Sequence, residues 1–355
     1  MLLNAPVRVA LLGCGRIAHV HAGYLRSLPG VRLVGACDAS AEAREAFTRR
    51  WALPTCASVR EMLGALEPQV VHVLTPPHTH ASLAIELMRA GVDVFVEKPM
   101  ALSVADADAM IAVARETGRT LTVDHNRWFD PVVLRARAAL QSGILGELVG
   151  VDVLASFGEA DTGQQSWKQA LPGGPIFDTA PHPAYLVHGF VGKAKRVGVL
   201  AQRAEDGAVA ELRAVIEAER GLATLTMSRG ARPFANTVTL LGTEQTALIN
   251  LNNMTVVFRR LPRLPKLVAK VFPNLDEARQ LIAVTVSNTL AFVVGRQRFY
   301  PGIGLHLRAF YAAYQNGGEL PVTPEDGRAV VELLQQLLGG QVQHSSTRGS
   351  EESAA

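Results

Sequence analysis

Cysteine is scarce in this chain. There are three in 355 residues, Cys14, Cys37 and Cys56, and none has metal-ligand spacing. An odd, sparse set reads as free thiols in a reducing compartment, and no metal is expected. Excess charge is also missing: 35 basic side chains against 32 acidic ones leave a net +3, too little to argue for nucleic acid as a partner. There is no long hydrophobic run. The longest, Leu281 to Val294, contains Thr285, Ser287, Asn288 and Thr289 and is too short and too polar for a membrane span. No basic region precedes apolar Val7 to Leu12, so no secretory signal is read and a cytoplasmic location is expected. What is present is a globular composition, 48% hydrophobic and 19% charged. At roughly 100–200 residues per domain, the length suits two domains.

Up to residue 124 the sequence alternates strand and helix. Val7–Leu12, Val31–Cys37, Gln69–Leu74, Val92–Val96 and Thr120–Asp124 are short aliphatic and β-branched runs, as buried parallel strands are. Ser40 predicts a helix N-cap. Ser58 with Glu61, and Ser103 with Asp106, have capping-box spacing, and Gly91 suits a left-handed helix end. The reading is an α/β fold, with a doubly wound parallel sheet over residues 1–124. Five polar segments each follow a strand directly: the glycine turn at Gly13, Asp38, Thr75 to His80, Glu97-Lys98-Pro99, and His125-Asn126-Arg127. In open α/β sheets the ligand crevice lies outside the carboxyl ends of the strands, so these segments converge on one crevice.

Gly13-Cys14-Gly15-Arg16-Ile17-Ala18 fits the dinucleotide fingerprint, with alanine in its third small position. Gly13 permits the turn, Gly15 lets the backbone approach a pyrophosphate, and Ala18 lets the helix pack on the strand. Asp38 then stands where a carboxylate bonds an adenosine ribose and repels a 2′-phosphate. NAD is favoured over NADP, although Arg44 lies close by. Lys98 ends a buried strand with Glu97 as an immediate candidate partner, and it reads either as a surface lysine or as an ammonium aimed at a substrate oxygen. Asp178 and His182, four apart, share a helical face if they lie on one turn. The imidazole suits proton removal from an alcohol, with the carboxylate fixing its tautomer; a cap plus a core histidine is the other reading.

With these residues the chain resembles the Gfo/Idh/MocA oxidoreductases. The likeness rests on the glycine fingerprint, Asp38, Thr75-Pro76…His80, Glu97-Lys98-Pro99, Asp178…His182, and the closing Arg308-Ala309-Phe310…Pro324-Glu325-Asp326-Gly327 segment. It implies an N-terminal Rossmann domain followed by a C-terminal α/β domain with a large, mainly antiparallel open sheet, often assembled as a homo-oligomer through that sheet. The implied substrate is a sugar, cyclitol or related polyol, oxidised or reduced at a secondary alcohol. Lys98, Asp178 and His182 match the catalytic lysine, aspartate and histidine, with Asp178 orienting His182. Cofactor contacts are expected from Gly13, Gly15, Arg16, Ile17, Asp38, Thr75, Pro76, His80, Glu97 and Asn126. This sequence departs from the pattern at Pro77, Trp128 and Tyr185. The last two replace polar residues near the expected substrate site and suggest a substrate that is less hydroxylated or carries an apolar part. Two other functions stay open: an NAD-dependent glycosidase using transient oxidation, and a non-catalytic dinucleotide sensor.

From Glu147 onward the strand signals follow in hairpin succession, giving a substrate-binding domain over 125–343; a polar tail, 344–355, is expected to be disordered. Residues 259–298 hold eight basic side chains against two acidic ones, and Leu264, Leu267, Val268, Val271 and Phe272 have helical spacing. Such a basic amphipathic helix either covers the sheet or a subunit contact, or it contacts anionic lipid or a lipid-linked substrate.

Overall fold

The computed structural model describes residues 5–157, 171, 174, 176–260, 265–294 and 300–339; the tail 344–355 lies outside the described residues. The first sheet holds β1 (Val7–Leu12), β2 (Val31–Cys37), β3 (Thr55–Cys56), β4 (Val70–Val73), β5 (Asp93–Val96) and β6 (Leu121–Val123). All its pairs are parallel, in the order β3-β2-β1-β4-β5-β6. That is the doubly wound order, with its switch point between β1 and β4. β4 and β5 are buried at every position, as strands covered on both faces must be. The two-residue strand β3 was not expected, because two residues carry no readable period.

Helices α1 (Arg16–Leu25), α2 (Ala41–Trp51), α3 (Val59–Leu66), α4 (His80–Arg89) and α5 (Val104–Thr117) make the crossovers. Their caps are those the sequence indicates. The hydroxyls of Ser40, Ser58 and Ser103 accept from the amides of Ala43, Glu61 and Asp106 at 3.2, 3.2 and 3.1 Å, satisfying donors that have no partner within the helix.

After α6 (Pro131–Gln141) comes β7 (Leu148–Ser156). Beyond α7 (Ile176–Thr179) and α8 (Pro181–Val191) follow β8 (Ala194–Arg203), β9 (Val209–Ala218), β10 (Gly221–Ser228), β11 (Asn236–Gly242), β12 (Gln245–Asn250) and β13 (Thr255–Arg260). They form a seven-stranded sheet, β13-β12-β11-β7-β10-β9-β8, antiparallel except for the parallel pair β7 and β10. One face packs on α8. The other leaves Val149, Leu200, Val215, Leu222 and Leu241 exposed.

The chain ends in α9 (Lys266–Val293), α10 (Pro301–Asn316) and α11 (Pro324–Gly339). These closing helices pack on both layers. Ile303, Leu307, Phe310 and Tyr311 of α10 share a core with Val9, Leu11 and Phe95 of the first sheet. α11 serves both layers, with Val331 in the core of the first and Val330, Leu334 and Leu337 in that of the second. A buried polar column ties α10 down. His72 Nδ1 lies 2.9 Å from His21 Nδ1, His72 Nε2 lies 2.7 Å from the Tyr311 hydroxyl, and His306 Nδ1 lies 2.9 Å from Asp124 Oδ1. Burial alone would raise the Asp124 carboxyl; hydrogen bonds from His21 and His306 outweigh it and hold the group below the usual carboxylate range.

Candidate active site

Between β1 and α1 the chain turns within three residues. Gly13 sits at φ +103°, and a Cβ there would stand 2.9 Å from the carbonyl of Leu74; only glycine fits. At Gly15 an added Cβ would meet nothing within 4 Å, so open space lies against the backbone where α1 begins. No side chain among the described residues caps α1, which leaves its first amides for an anionic ligand. Asp38 completes the cradle. Its Oδ2 accepts from the Cys14 amide at 2.7 Å and its Oδ1 from the Ser40 amide at 2.8 Å, fixing the carboxylate beside the glycine turn. Arg44 is tied to the same turn, its Nη1 donating to the carbonyls of Asp38 and Ala39 at 2.8 and 3.0 Å. These features fit a dinucleotide.

The other expected cofactor residues divide. Arg16 is exposed at the start of α1 and donates to the Tyr300 hydroxyl at 3.2 Å, while Ile17 is half-buried. Thr75 and Pro76 are half-buried, with the Thr75 and Thr79 hydroxyls 2.7 Å apart. Two of these residues are enclosed. His80 is fully buried, its ring nitrogens 2.9 Å from the Pro99 carbonyl and 2.8 Å from the Thr75 carbonyl; it braces two crevice loops instead of facing the crevice. Glu97 is also buried and points inward, near Asp124. Burial, reinforced by the Asp124 charge, pushes its carboxyl up to about 8, so at neutral pH it is protonated. The three free cysteines are all buried.

Nor is Glu97 the partner of the Lys98 ammonium: it accepts only the Lys98 backbone amide, at 2.8 Å. Lys98 Nζ instead crosses to α7, donating to Asp178 Oδ1 at 3.0 Å and to the Asp178 carbonyl at 2.7 Å. An ammonium has three donors, and among the described residues these two bonds use two of them.

His182 opens α8 four residues after Asp178. The intervening Ala180 is right-handed helical, and Pro181 takes a first-turn position, where its missing N–H costs nothing. The residue set on His182 Nδ1 is Tyr185, whose hydroxyl lies 2.8 Å away. Asp178, expected to orient the imidazole, is paired with Lys98. The Tyr185 hydroxyl also accepts from the Arg127 amide at 2.8 Å and donates to Asn126 Oδ1 at 3.2 Å, so Asn126 belongs to this cluster. Burial, then the charges of Lys98 and Arg127, keep the His182 imidazole well below its ordinary value, and burial keeps Tyr185 protonated. In sequence, Tyr185 stands out only as a replacement of a polar residue. Its three-residue spacing from His182 on a helix was the signal of contact. Trp128, the other departure, packs edge-to-face against Phe190 and lies beneath Arg137. Tyr185 keeps a hydroxyl in the cluster around His182.

His182 and Thr179 open onto a cavity of about 430 Å³. Among the described residues its polar walls are Arg127, Ser156, Asn236, Thr237 and Asn252, and its apolar walls include Phe157, Leu186, Phe234 and Leu251. The inner face of the second sheet thus supplies a mixed lining next to a neutral imidazole.

Comparison with known proteins agrees with this architecture. The family described as "Oxidoreductase family, NAD-binding Rossmann fold" matches residues 7–125, and the GFO/IDH/MocA C-terminal domain matches residues 133–248. The chain is 30% identical over 188 residues to D-glucoside 3-dehydrogenase of Escherichia coli (strain K12), covering 51% of this chain and 53% of that protein. It is 35% identical over 147 residues to an inositol 2-dehydrogenase of Rhizobium meliloti (strain 1021), covering 41% and 44%. The matches span about half the length of these curated relatives. Among solved structures, the WlbA dehydrogenase of Bordetella pertussis, in complex with NADH and UDP-GlcNAcA, superposes with a TM-score of 0.76 at 21% identity, covering 94% of this chain and 95% of that one; the likeness is one of fold. By these matches and by its glycine turn, its two sheets and its Glu97-Lys98-Pro99 loop, the chain belongs to the Gfo/Idh/MocA oxidoreductase family.

Proposed function

We propose that the protein is a nicotinamide-dinucleotide-dependent dehydrogenase or reductase acting on a secondary alcohol of a sugar, cyclitol or related polyol. The observation that supports this reading is the Lys98–Asp178 ion pair, whose ammonium lies near enough to depress His182, with His182 itself lining a cavity of mixed polar and apolar walls. The relatives named above, dehydrogenases of a glucoside and an inositol, support that substrate class. NAD is the favoured form, because the Asp38 carboxylate beside the glycine turn would meet a 2′-phosphate with like charge, and Arg44 is tied to backbone carbonyls.

The bound dinucleotide would supply the hydride acceptor or donor. The remaining chemistry belongs to the chain. His182, neutral at physiological pH, takes the substrate hydroxyl proton. When Tyr185 gives its one proton to Asn126, its oxygen accepts from Nδ1–H of His182, and the basic lone pair is then on Nε2. Lys98 directs its third N–H at the substrate oxygen and stabilises negative charge building there. Asp178 holds the ammonium in place. The exposed apolar face of the second sheet supports self-association through that sheet. Incubating the protein and NAD with a panel of cyclitols, glycosides and nucleotide sugars tests the reading. Net NADH formation is expected with at least one; turnover of a glycoside with no net NADH would point to a glycosidase.

A further inference from the structure

Helix α9 is built inside out. Its protein-facing side is fastened to strand β13 and the turn before it by polar groups. Gln280 bonds both the amide and the carbonyl of Phe258 at 2.9 Å, Glu277 takes the guanidinium of Arg259, and Asn288 donates to the Met254 carbonyl at 2.7 Å. The outward side is apolar. Val271, Leu275, Ile282, Val286, Leu290 and Val293 recur at helical spacing and are 53% to 74% exposed, and no described side chain of this 28-residue helix is buried. A helix serving only to cover the sheet would present the opposite faces.

We propose that α9 lies on an anionic lipid surface, with this stripe at the headgroup boundary. Charge selects lipid over a second copy. Asp276 and Glu277, the only acids in α9, have side chains 12% and 22% exposed and are engaged by Arg279 and Arg259. The outward half of α9 therefore shows no acidic side chain among the described residues, while Lys270 and Arg279 are exposed, as is neighbouring Arg260. The segment 259–298 holds eight basic residues against two acidic ones. Pairing this face with itself across a two-fold axis would set basic side chains against basic side chains, and the second sheet offers a separate apolar face for self-association. An anionic bilayer complements both the stripe and its charge. Burial of the stripe to headgroup depth suffices, since no described helix is long and apolar enough to cross a membrane. This inference does not depend on the catalytic reading.

Flotation of the full chain tests it, with vesicles of phosphatidylcholine and phosphatidylglycerol in a two-to-one ratio and with phosphatidylcholine alone, at physiological salt. The chain is expected to rise with the anionic vesicles, several-fold less with the neutral ones and several-fold less at high salt. The double variant Ile282→Asp/Leu290→Asp should stay at the bottom while keeping the wild-type melting temperature, and the surface change Lys270→Glu should reduce capture on its own. A wild-type chain that ignores anionic vesicles overturns the proposal, as does equal capture of the double variant. An oligomer that the double variant dissociates, with no vesicle capture, assigns the stripe to a second copy instead.

Discussion

The ammonium of Lys98 stands 3.0 Å from the carboxylate of Asp178, 80 residues further along the chain. This ion pair joins the loop after β5 to α7, so it aligns the two layers at the crevice. Its side chains are 13% and 27% exposed. A lysine this enclosed keeps a fixed direction, and the carboxylate offsets the cost of enclosing its charge.

Replacing Lys98 with methionine keeps the stem and removes the charge. Turnover is expected to fall about 10²–10⁴-fold, with NAD affinity within error of wild type. Asp178→Asn should cost less, because the carbonyl of residue 178 still holds the ammonium. Steady-state kcat beside a direct dinucleotide titration separates the two effects, and a parallel loss of NAD affinity would count against Lys98 acting on the substrate.

Tyr185→Phe takes the hydroxyl from His182 Nδ1, Asn126 and the Arg127 amide together. Leaving such buried groups unpaired costs about 1–3 kcal/mol, and a loss of that size in the transition state lowers kcat about 5- to 150-fold. The pH profile distinguishes positioning from simple destabilisation. The wild-type acid limb should lie below the free-histidine value of 6.5, since burial and the charges of Lys98 and Arg127 depress His182. Tyr185→Phe should displace that limb as well as lower kcat. A lower melting temperature with the limb unmoved would leave Tyr185 a packing residue only.

Stability should peak near neutral pH, for opposite reasons on the two sides. Burial holds His80 at about 4 and His125 at about 3, against 6.5 when free. Below 6.5 the unfolded chain therefore binds protons that the folded chain refuses, and stability falls with pH. Glu97 keeps its proton up to about 8, against 4.5 when free. Between those values the unfolded chain is ionised there and the folded chain is not, so stability is lost as pH rises through 8. Melting temperatures measured across pH should show the dome, and Glu97→Gln should flatten its alkaline side and steepen the acid side between 4.5 and 6.5.

What the sequence made readable was local. The parallel strands, the three serine caps and the glycine turn each depend on residues within a few positions of one another. Asp178 and His182, four apart, fall in separate helices, α7 and α8, that meet at Ala180. Long-range pairing did not show. Lys98 had an acidic neighbour in Glu97, yet its partner is Asp178, because geometry at the strand end turns Glu97 inward. His80 looked like a crevice residue by position, although its ring is enclosed between two loops. The column linking His21, His72, Asp124, His306 and Tyr311 spans most of the chain, and no periodicity records it.

Asp38→Ala should weaken NAD binding and narrow the preference against NADP, because it removes the carboxylate that would meet a 2′-phosphate. Comparing affinities for both dinucleotides checks this, and an unchanged ratio would assign Asp38 to bracing the Cys14 and Ser40 amides alone. Gly13→Ala forces a side chain into positive φ against Leu74. It should lower stability by about 1–3 kcal/mol, read as a fall in melting temperature.

Among these, the measurement closest to the central claim is initial NADH formation by wild type and His182→Ala on whichever polyol the panel identifies, with NAD affinity measured alongside. A loss of about 10²–10⁴-fold with affinity retained is the predicted result. Equal rates in the two proteins would contradict the assignment of His182 as the base and, with it, the reading of this crevice as the place where the alcohol is oxidised.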